Sequence, residues 1–286
     1  HVTNWVYQLQ SYRQQRLDEI MEGGFDLAVI DLTRDGGEDY FTREEISALQ
    51  ARGTLALAYF AIGSIETYRP EWNSVPAALK SAKVEGWPDE YFVKFWEEDW
   101  WPVLRGRLDR ALEAGFDGAY LDLITAYEEI PLDAADPGAT REDLAHRMVA
   151  LIERISAYAK ERSPDFLIVP QNCPELYTWS YWSGIPNRRY LDAVDGIGLE
   201  SVFYIAHDKP AEADWCAENR DNAYALRKAG KVVLGVDYAT RPETIRDAYQ
   251  SMRLLGFVPY VSVRNLDRVA PEAQAVRNGI PIGGRR

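Results

Sequence analysis

The amino-acid sequence predicts a single (β/α)8 barrel of the α/β class. Short apolar segments of strand type alternate with segments of helical periodicity along its 286 residues. Four segments also repeat one arrangement, in which a helix end is followed by a glycine, an apolar strand and a polar residue. One barrel commonly fills a chain of this length. We therefore expect one catalytic domain, residues 1–286, with a barrel core over about 5–267 and a tail over 268–286.

The repeated arrangement occupies residues 20–32, 111–123, 226–239 and 253–263. The first three copies carry an acid at the end of the strand, and the fourth carries Ser262. Glycine after a helix supplies the left-handed backbone that ends many helices. Continuous apolar runs are typical of parallel strands that are covered on both faces. The repeats therefore predict four units of a parallel sheet with crossover helices.

Eight strands are predicted once the intervals between these repeats are filled. They are residues 5–9, 27–32, 55–63, 118–124, 166–171, 196–204, 231–238 and 257–263. Apolar residues at helical spacing occupy 141–161 and 241–256, and the second of these has Pro242 near its start and Gly256 at its end. A doubly wound open sheet is the alternative, but no G-x-G-x-x-G sequence follows the first strand.

The charge of the chain limits its partners. The net charge is −13 at pH 7, which disfavours nucleic acid and anionic membranes. A cationic or neutral substrate is easier to accommodate, although the charge also serves solubility. The sequence has no run of 18 apolar residues, and we expect no transmembrane helix. No signal peptide is recognised, which leaves a cytoplasmic protein and a trimmed secreted protein both open.

The sequence predicts neither a cofactor nor a metal. Its two cysteines, Cys173 and Cys216, are too few for a zinc cluster and could form a disulfide or two free thiols. No H-E-x-x-H or phosphate-binding G-x-x-x-x-G-K-[ST] sequence occurs. One alternative is a metal-dependent hydrolase that uses Asp31, Asp122 and Asp237 as ligands for a divalent cation.

Polar residues at the carboxyl ends of the predicted strands mark the expected site. In a barrel of this type these ends surround the active site. The residues are Gln8, Asp31, Ser64, Glu66, Asp122, Thr125, Gln171, Asn172, Glu200, Asp237, Tyr238, Ser262 and Arg264. Asp122 and Glu200 lie within apolar strands, where a carboxylate must be paired, solvated by a cleft or protonated. Two such acids at one barrel mouth are suited to glycoside hydrolysis.

Other interpretations of these residues stay open. An acid at the end of a strand often caps a helix or forms a salt bridge, and for Asp31 and Asp237 a structural or substrate-orienting role is favoured.

Aromatic side chains in the predicted loops could stack on sugar rings or pack in the core. They are Tyr68, Trp72, Tyr127, Tyr177, Trp179, Tyr181, Trp182, Tyr204 and Tyr238.

Six segments, in order, resemble the motifs of one family. They are AYFAIGSIETYRPEW, GFDGAYLDLITAYE, VPQNCPEL, GIGLESVFY, VDYA and YVSVRNLD. The chain resembles glycoside hydrolase family 114, the barrel-type endo-α-1,4-polygalactosaminidases, from about residue 5 to residue 267. The resemblance implies an exported or cell-surface enzyme that cleaves an α-1,4-linked, galactosamine-rich polysaccharide, which is cationic when partly deacetylated. We expect a monomer.

The resemblance also implies roles for individual residues. Asp122 and Glu200 are the expected catalytic carboxyls, with Asp122 as nucleophile and Glu200 as general acid/base by analogy with α-galactosidase-like barrels. Ten residues are predicted to contact substrate: Asp31, Tyr59, Glu66, Tyr127, Gln171, Asn172, Tyr204, Asp237, Tyr238 and Arg264.

The chain departs from the family pattern at three positions. Ser64 stands where the family usually has the first glutamate of G-E-A-E, Thr125 replaces a second aspartate, and Cys173 replaces a glycine. These changes leave Asp122 and Glu200 in place. The two lost acids motivate a second alternative, a carbohydrate-binding protein on a degenerate barrel without turnover.

Overall fold

The fold is a (β/α)8 barrel, as the sequence predicts. The computed structural model describes residues 1–178 and 186–271. Eight parallel strands follow in chain order: β1 Trp5–Tyr7, β2 Leu27–Asp31, β3 Leu55–Ala61, β4 Gly118–Asp122, β5 Leu167–Pro170, β6 Gly196–Glu200, β7 Val232–Tyr238 and β8 Val258–Ser262. Their buried side chains belong to one hydrophobic cluster.

The strands pair in the order expected of a barrel. Strands β1 to β5 form one continuous sheet, and β6 to β8 form a second. A single bridge, Gln171 to Gly198, joins β5 to β6. At the other seam, the indole nitrogen of Trp5 in β1 donates to the carbonyl oxygen of Val258 in β8 at 2.9 Å. The eight strand ends therefore surround one mouth.

Helices cover the outside of the barrel. The described α-helices are Asp18–Gly23, Arg43–Gln50, Trp101–Ala114, Ala126–Glu129, Leu132–Ala135, Arg141–Arg162, Glu175–Thr178, Arg188–Ala193, Asp214–Lys228 and Pro242–Leu254. Short 3-10 turns occupy Arg13–Gln15, Ala77–Leu79 and Glu98–Trp100. Capping boxes at Thr42 and Thr140 begin two of the α-helices, because each threonine hydroxyl satisfies a free backbone amide.

An insertion follows β3 and forms a separate antiparallel sheet. Its three strands are Ser64–Glu66, Lys80–Lys83 and Glu90–Val93, with Glu90–Val93 in the middle. A second small hairpin, Tyr204–Ile205 with Lys209–Pro210, follows β6. Both hairpins lie beyond the carboxyl ends of barrel strands. None of the three strands of the insertion was predicted from the sequence, where no strand is expected between residues 64 and 117.

Each predicted strand overlaps an observed one, and the largest difference is at β6. This strand was predicted to run to residue 204, but it ends at Glu200. Ser201 has φ +53°, a left-handed conformation that a strand cannot continue. The apolar run continues through Val202 and Phe203 because these side chains pack in the following loop, Val202 being fully buried.

No helix within residues 1–178 and 186–271 combines the length and apolar composition needed to cross a membrane.

Candidate active site

A cleft of about 680 Å³ opens at the carboxyl ends of the barrel strands. It is lined by nine of the twelve predicted catalytic and substrate-binding residues: Asp31, Tyr59, Glu66, Asp122, Gln171, Asn172, Glu200, Tyr238 and Arg264. They come from the ends of seven different strands and from the insertion, and they are up to 233 residues apart in sequence (264 − 31). The fold therefore brings these nine side chains to one surface.

Asp122 ends β4 and is half-buried in the cleft. Its Oδ2 accepts a hydrogen bond from the Tyr59 hydroxyl at 2.5 Å, and its Oδ1 accepts one from the Leu123 amide at 2.7 Å. Burial, followed by the negative charge of Glu200, raises the pKa of Asp122 to about 7. The two hydrogen bonds act in the opposite direction because they stabilise the ionised form. Asp122 therefore exchanges a proton near neutral pH.

Glu200 ends β6 and shares the cleft with Asp122. The Tyr238 hydroxyl donates to its Oε1, and the Asn172 side-chain amide donates to its Oε2 at 3.2 Å. Asn172 also accepts from the Glu200 backbone amide at 3.0 Å, so that one side chain fixes both the backbone and the carboxylate. Donors from β7 and from the end of β5 thus orient the Glu200 carboxylate.

The backbone turns sharply after each of these strand ends. Leu123 has φ +56°, Asn172 has +64° and Ser201 has +53°, and each directly follows a cleft residue. A left-handed conformation costs roughly 1–3 kcal/mol for a non-glycine residue and is concentrated at functional sites. Cys173, which the resemblance aligns with a glycine of the family pattern, has φ +53°, a conformation that favours glycine.

A tyrosine and a glycine pack together one layer below the carboxyls. Tyr120 lies two residues before Asp122 in β4, and Gly198 lies two residues before Glu200 in β6. A Cβ atom added at Gly198 would lie 1.8 Å from the Tyr120 hydroxyl oxygen. Because only a hydrogen side chain leaves room there, Gly198 allows the Tyr120 ring to fill the barrel beneath the two catalytic candidates.

A buried ion network joins the insertion to β2. Arg69 binds the Asp31 carboxylate through two hydrogen bonds, at 2.8 and 2.7 Å, and also donates to Glu66 Oε1 at 3.0 and 2.8 Å. Although burial opposes ionisation, the charge of Arg69 lowers the pKa of Glu66 below its ordinary value. The network holds the insertion against the barrel mouth, since a bidentate guanidinium pair fixes geometry as well as charge.

Glu90 is a second acid of the insertion that faces the cleft. It is 8% exposed and opposite Glu66 in the antiparallel pairing. Burial, followed by the negative charge of Glu66, raises the pKa of Glu90 to about 8. The Ser64 hydroxyl donates to Glu90 Oε1 at 2.5 Å. The resemblance aligns Ser64 with a glutamate of the family pattern, and here a carboxyl from the adjacent strand lies beside it.

The lining of the cleft is strongly acidic. Its carboxyl groups belong to Asp31, Asp35, Glu66, Glu85, Glu90, Asp122, Glu129 and Glu200, and its arginines are Arg69 and Arg264. Arg69 is neutralised by its two carboxylate partners, while Arg264 is exposed at the rim. The surplus of carboxyl groups favours a cationic occupant over an anionic one.

The model of glycoside hydrolase family GH114 matches residues 1–277. The chain belongs to glycoside hydrolase family 114. This confirms the resemblance inferred from the six motifs. A protein of Deinococcus radiodurans, named as uncharacterized, is 33% identical over 273 residues, covering 94% of this chain and 82% of that protein. A Thermotoga maritima protein with the same description is 31% identical over 277 residues, covering 92% and 81%.

Solved structures of glycoside hydrolases have the same fold as this family 114 chain. Aspergillus fumigatus Ega3, in a complex with galactosamine, superposes with a TM-score of 0.70 at 16% identity, over 94% of this chain and 95% of Ega3. The glycoside hydrolase domain of Pseudomonas aeruginosa PelA gives a TM-score of 0.71 at 16% identity, over 94% and 97%. These similarities confirm the predicted barrel.

Three predicted substrate-binding residues lie outside the lining of the cleft. The Tyr127 hydroxyl donates to Glu175 at 2.5 Å, in the buried interior beside the helix Glu175–Thr178. The Tyr204 hydroxyl donates to Asp247 at 2.6 Å. Asp237 is fully buried, where its carboxylate accepts the backbone amides of Phe203 and Tyr204 and holds the loop after β6.

The metal-dependent alternative can be compared with these contacts. In the proposed metal set, Asp31 is paired with Arg69 and Asp237 with backbone amides, so both already have strong protein donors. Among the described residues, the oxygens of Glu128 and Glu175 and the sulfur of Cys173 lie within 4.8 Å of one another, as metal ligands could. Burial raises the pKa of the Cys173 thiol, which opposes the thiolate that a metal needs.

The remaining cysteine and aromatic predictions have mixed outcomes. Cys173 and Cys216 are both buried free thiols, and the disulfide is not formed. Tyr68 lines the cleft, whereas Trp72 and Tyr177 pack against the hydrophobic core. Trp179, Tyr181 and Trp182 lie outside the described residues.

Several residues that line the cleft were not predicted from the sequence, among them Arg69, Trp87 and Glu90, which all belong to the insertion. A signal for this hairpin was present. Residues 80–93, KSAKVEGWPDEYFV, contain two short segments of strand type around Gly86, which is typical of a β-hairpin. Arg69 lies three residues after Glu66, a spacing at which opposite charges often meet.

Proposed function

We propose that this family 114 chain hydrolyses an α-1,4-linked polysaccharide rich in galactosamine, at bonds within the chain, by a two-carboxyl mechanism. The proposal concerns the substrate, the endo mode of action and the roles of Asp122 and Glu200. The observation that carries it is the presence of these two carboxyls, from β4 and β6, in one cleft where each is held by its own pair of donors.

The mechanism assigns one carboxyl to each chemical role. Glu200 protonates the glycosidic oxygen while Asp122 attacks the anomeric carbon, so that the sugar–oxygen bond breaks and a glycosyl ester forms. Glu200 then removes a proton from water, the water oxygen attacks the anomeric carbon, and Asp122 leaves as a carboxylate. Tyr59 and the Leu123 amide support the role of Asp122 as nucleophile and leaving group, because both donate to the Asp122 carboxylate and stabilise its ionised form.

The acidity of the cleft supports an amino sugar as substrate. A bound ammonium group would offset the negative charge of the lining and would lower the pKa of Asp122, since a nearby cation favours the ionised carboxyl. The substrate would thereby promote the ionisation state that its own cleavage requires. The complex of the structural neighbour Ega3 with galactosamine is consistent with this choice.

Reducing-end release from partly deacetylated α-1,4-galactosamine polymer tests the proposal. Asp122→Asn and Glu200→Gln are expected to lose at least about 10³-fold in kcat/KM, the loss of roughly 4 kcal/mol of transition-state stabilisation. Asp109→Asn is the matched control, because Asp109 accepts the Tyr158 hydroxyl at 2.6 Å on the outer helices. Far-UV circular dichroism verifies that each variant is folded.

The outcomes of this experiment separate the alternatives. Turnover that survives in both carboxyl variants would place the chemistry elsewhere. A wild-type protein that binds the polymer but releases no reducing ends would be a carbohydrate-binding protein. Activity that a chelator abolishes would point to the metal-dependent alternative.

Azide rescue tests the assignment of roles. In an acid/base variant, azide attacks the glycosyl ester and gives a glycosyl azide with the anomeric configuration of the substrate. In a nucleophile variant, azide attacks the substrate directly and gives the opposite anomer. We therefore expect the retained anomer from Glu200→Ala and the inverted anomer from Asp122→Ala, as read by proton NMR. The reverse pattern would exchange the two roles.

A further inference from the structure

Two exposed aromatic rings stand at the rim of the cleft. Tyr68 is 55% exposed and Trp87 is 48% exposed, and both line the same cleft as Asp122 and Glu200. Both belong to the insertion after β3. Large aromatic side chains left open to solvent in a cleft are typical of binding surfaces, because burying their faces against a ligand is energetically favourable.

Trp87 is held in place by a tight turn of the backbone. The Trp87 amide donates to the carbonyl oxygen of Val84 at 3.1 Å, and the Glu90 amide donates to the carbonyl oxygen of Trp87 at 3.2 Å. Gly86 has φ +81°, which provides the left-handed residue that this turn requires. From the loop after β8, the guanidinium carbon of Arg264 lies 5.5 Å from the centre of the indole ring.

Tyr68 is supported from below by the backbone. A Cβ atom added at Gly36 would lie 2.8 Å from the Tyr68 ring, so the ring rests directly on that glycine. The Tyr68 hydroxyl lies 3.4 Å from Glu66 Oε1, and the guanidinium carbon of Arg69 lies 5.5 Å from the ring centre. The ring is therefore fixed by the ion network although more than half of its surface is open.

We propose that Trp87 and Tyr68 form a stacking platform for sugar units of the polysaccharide that lie beyond the bond being cleaved. The inference rests on the proposed function and adds the residues that bind sugar units beyond the scissile bond. The faces of pyranose rings carry C–H groups that pack on aromatic faces. Because the Trp87 backbone and the Tyr68 ring are held before the substrate arrives, less conformational freedom is lost on binding.

The chemistry of the rim favours an amino sugar in this platform. Glu85 lies two residues before Trp87 and also lines the cleft. An ammonium group beside the indole ring would meet the negative charge of Glu85 and of the other cleft carboxyls, which outnumber the single positive charge of Arg264 beside the same ring. A neutral sugar would gain the stacking alone. The platform therefore extends the preference for a cationic chain from the carboxyl pair to the rim.

Trp87→Ala tests the platform, and Trp215→Ala provides a matched control. Trp215 is 52% exposed, close to the 48% of Trp87, but it lies on the helix Asp214–Lys228 and does not line the cleft. With partly deacetylated α-1,4-galactosamine polymer, Trp87→Ala should raise KM about tenfold more than it lowers kcat, because about 1.4 kcal/mol of binding is lost. Trp87→Phe should recover most of this loss, and Trp215→Ala should behave as the wild type.

The dissociation constant of the polymer, measured by calorimetry in the inactive Glu200→Gln background, provides the second readout. Adding Trp87→Ala should weaken binding about tenfold. A change below twofold in both KM and binding, or an equal change in Trp215→Ala, would overturn the platform while leaving the proposed function intact. A wild-type protein that neither binds nor cleaves the polymer would overturn the proposed function, and the platform with it.

Discussion

Replacement of Tyr59 by phenylalanine tests the electrostatic account of Asp122 most directly. The change removes a hydroxyl that donates to Asp122 Oδ2 at 2.5 Å and leaves the ring in place. Burial and Glu200 already raise the pKa of Asp122 to about 7, and this hydrogen bond is one of the contacts that oppose them. Its removal should therefore raise the pKa further.

The size of the shift follows from the strength of the bond. A hydrogen bond to a charged group contributes about 1.5–3 kcal/mol, and one pKa unit corresponds to about 1.36 kcal/mol. The pKa of Asp122 should rise by about one to two units. Because the proposed nucleophile must be ionised, the acidic limb of kcat/KM should move to higher pH by the same amount.

The assay is the pH dependence of kcat/KM for polymer cleavage between pH 5 and about 10. Tyr158→Phe is the matched control, since it removes a hydroxyl that donates to Asp109 at 2.6 Å outside the barrel. An acidic limb that stays in place in Tyr59→Phe, or moves to lower pH, would show that ionisation of Asp122 does not control that limb. A uniform loss at all pH values would assign Tyr59 to substrate binding instead.

Two further predictions concern stability. Gly198→Ala should lower the free energy of unfolding by about 1–3 kcal/mol, because the new Cβ meets the Tyr120 hydroxyl. Urea unfolding measures this loss. Gly106→Ala, with open space around its Cβ, is the control and should cause no such loss. Glu90→Gln should flatten the pH dependence of unfolding. The pKa of Glu90 is raised from 4.5 to about 8 in the folded state. Its contribution to the free energy of unfolding is therefore fully present below pH 4.5 and is lost as pH rises through 8. The loss amounts to at most ~5 kcal/mol.

The Gly198→Ala and Glu90→Gln predictions have different controls and different contrary outcomes. A Tyr120→Phe change added to Gly198→Ala should restore only part of the stability, since a ring carbon remains 2.4 Å from the new Cβ; full stability in Gly198→Ala alone would contradict the packing described. For the pH prediction, Glu85→Gln in the same hairpin is exposed and should retain the wild-type slope. An unchanged slope in Glu90→Gln would mean that Glu90 is ionised at little cost.

The barrel could be predicted because its signals are local and repeated. A glycine after a helix and an apolar run that ends on an acid lie within about 13 residues of one another. Residues 111–123, which include β4, contain both. Asp122 and Glu200 stood out for a similar reason. Each is a carboxyl within an apolar strand, an arrangement that secondary structure alone does not require.

The contacts that define the rest of the site are not local. Arg69 meets Asp31 across 38 residues, and Tyr59 meets Asp122 across 63. A sequence alone does not specify which donors pair with which acids. Asp237 illustrates the same limit, because its position at a strand end predicts the cleft, whereas the amide of Phe203 is what binds it.

Under the proposed function, the insertion between Ser64 and Val93 separates recognition of the sugar chain from its cleavage. Asp122 and Glu200 belong to the barrel strands, whose packing includes the close contact between Tyr120 and Gly198. Trp87 belongs to the tip of a hairpin outside the barrel. Under the proposed function, changes at the tip of this hairpin would alter which sugar chains are accepted while Asp122 and Glu200 stay on the barrel strands. The hairpin tip is therefore the part of the site where we expect specificity to be changed without moving the two carboxyls.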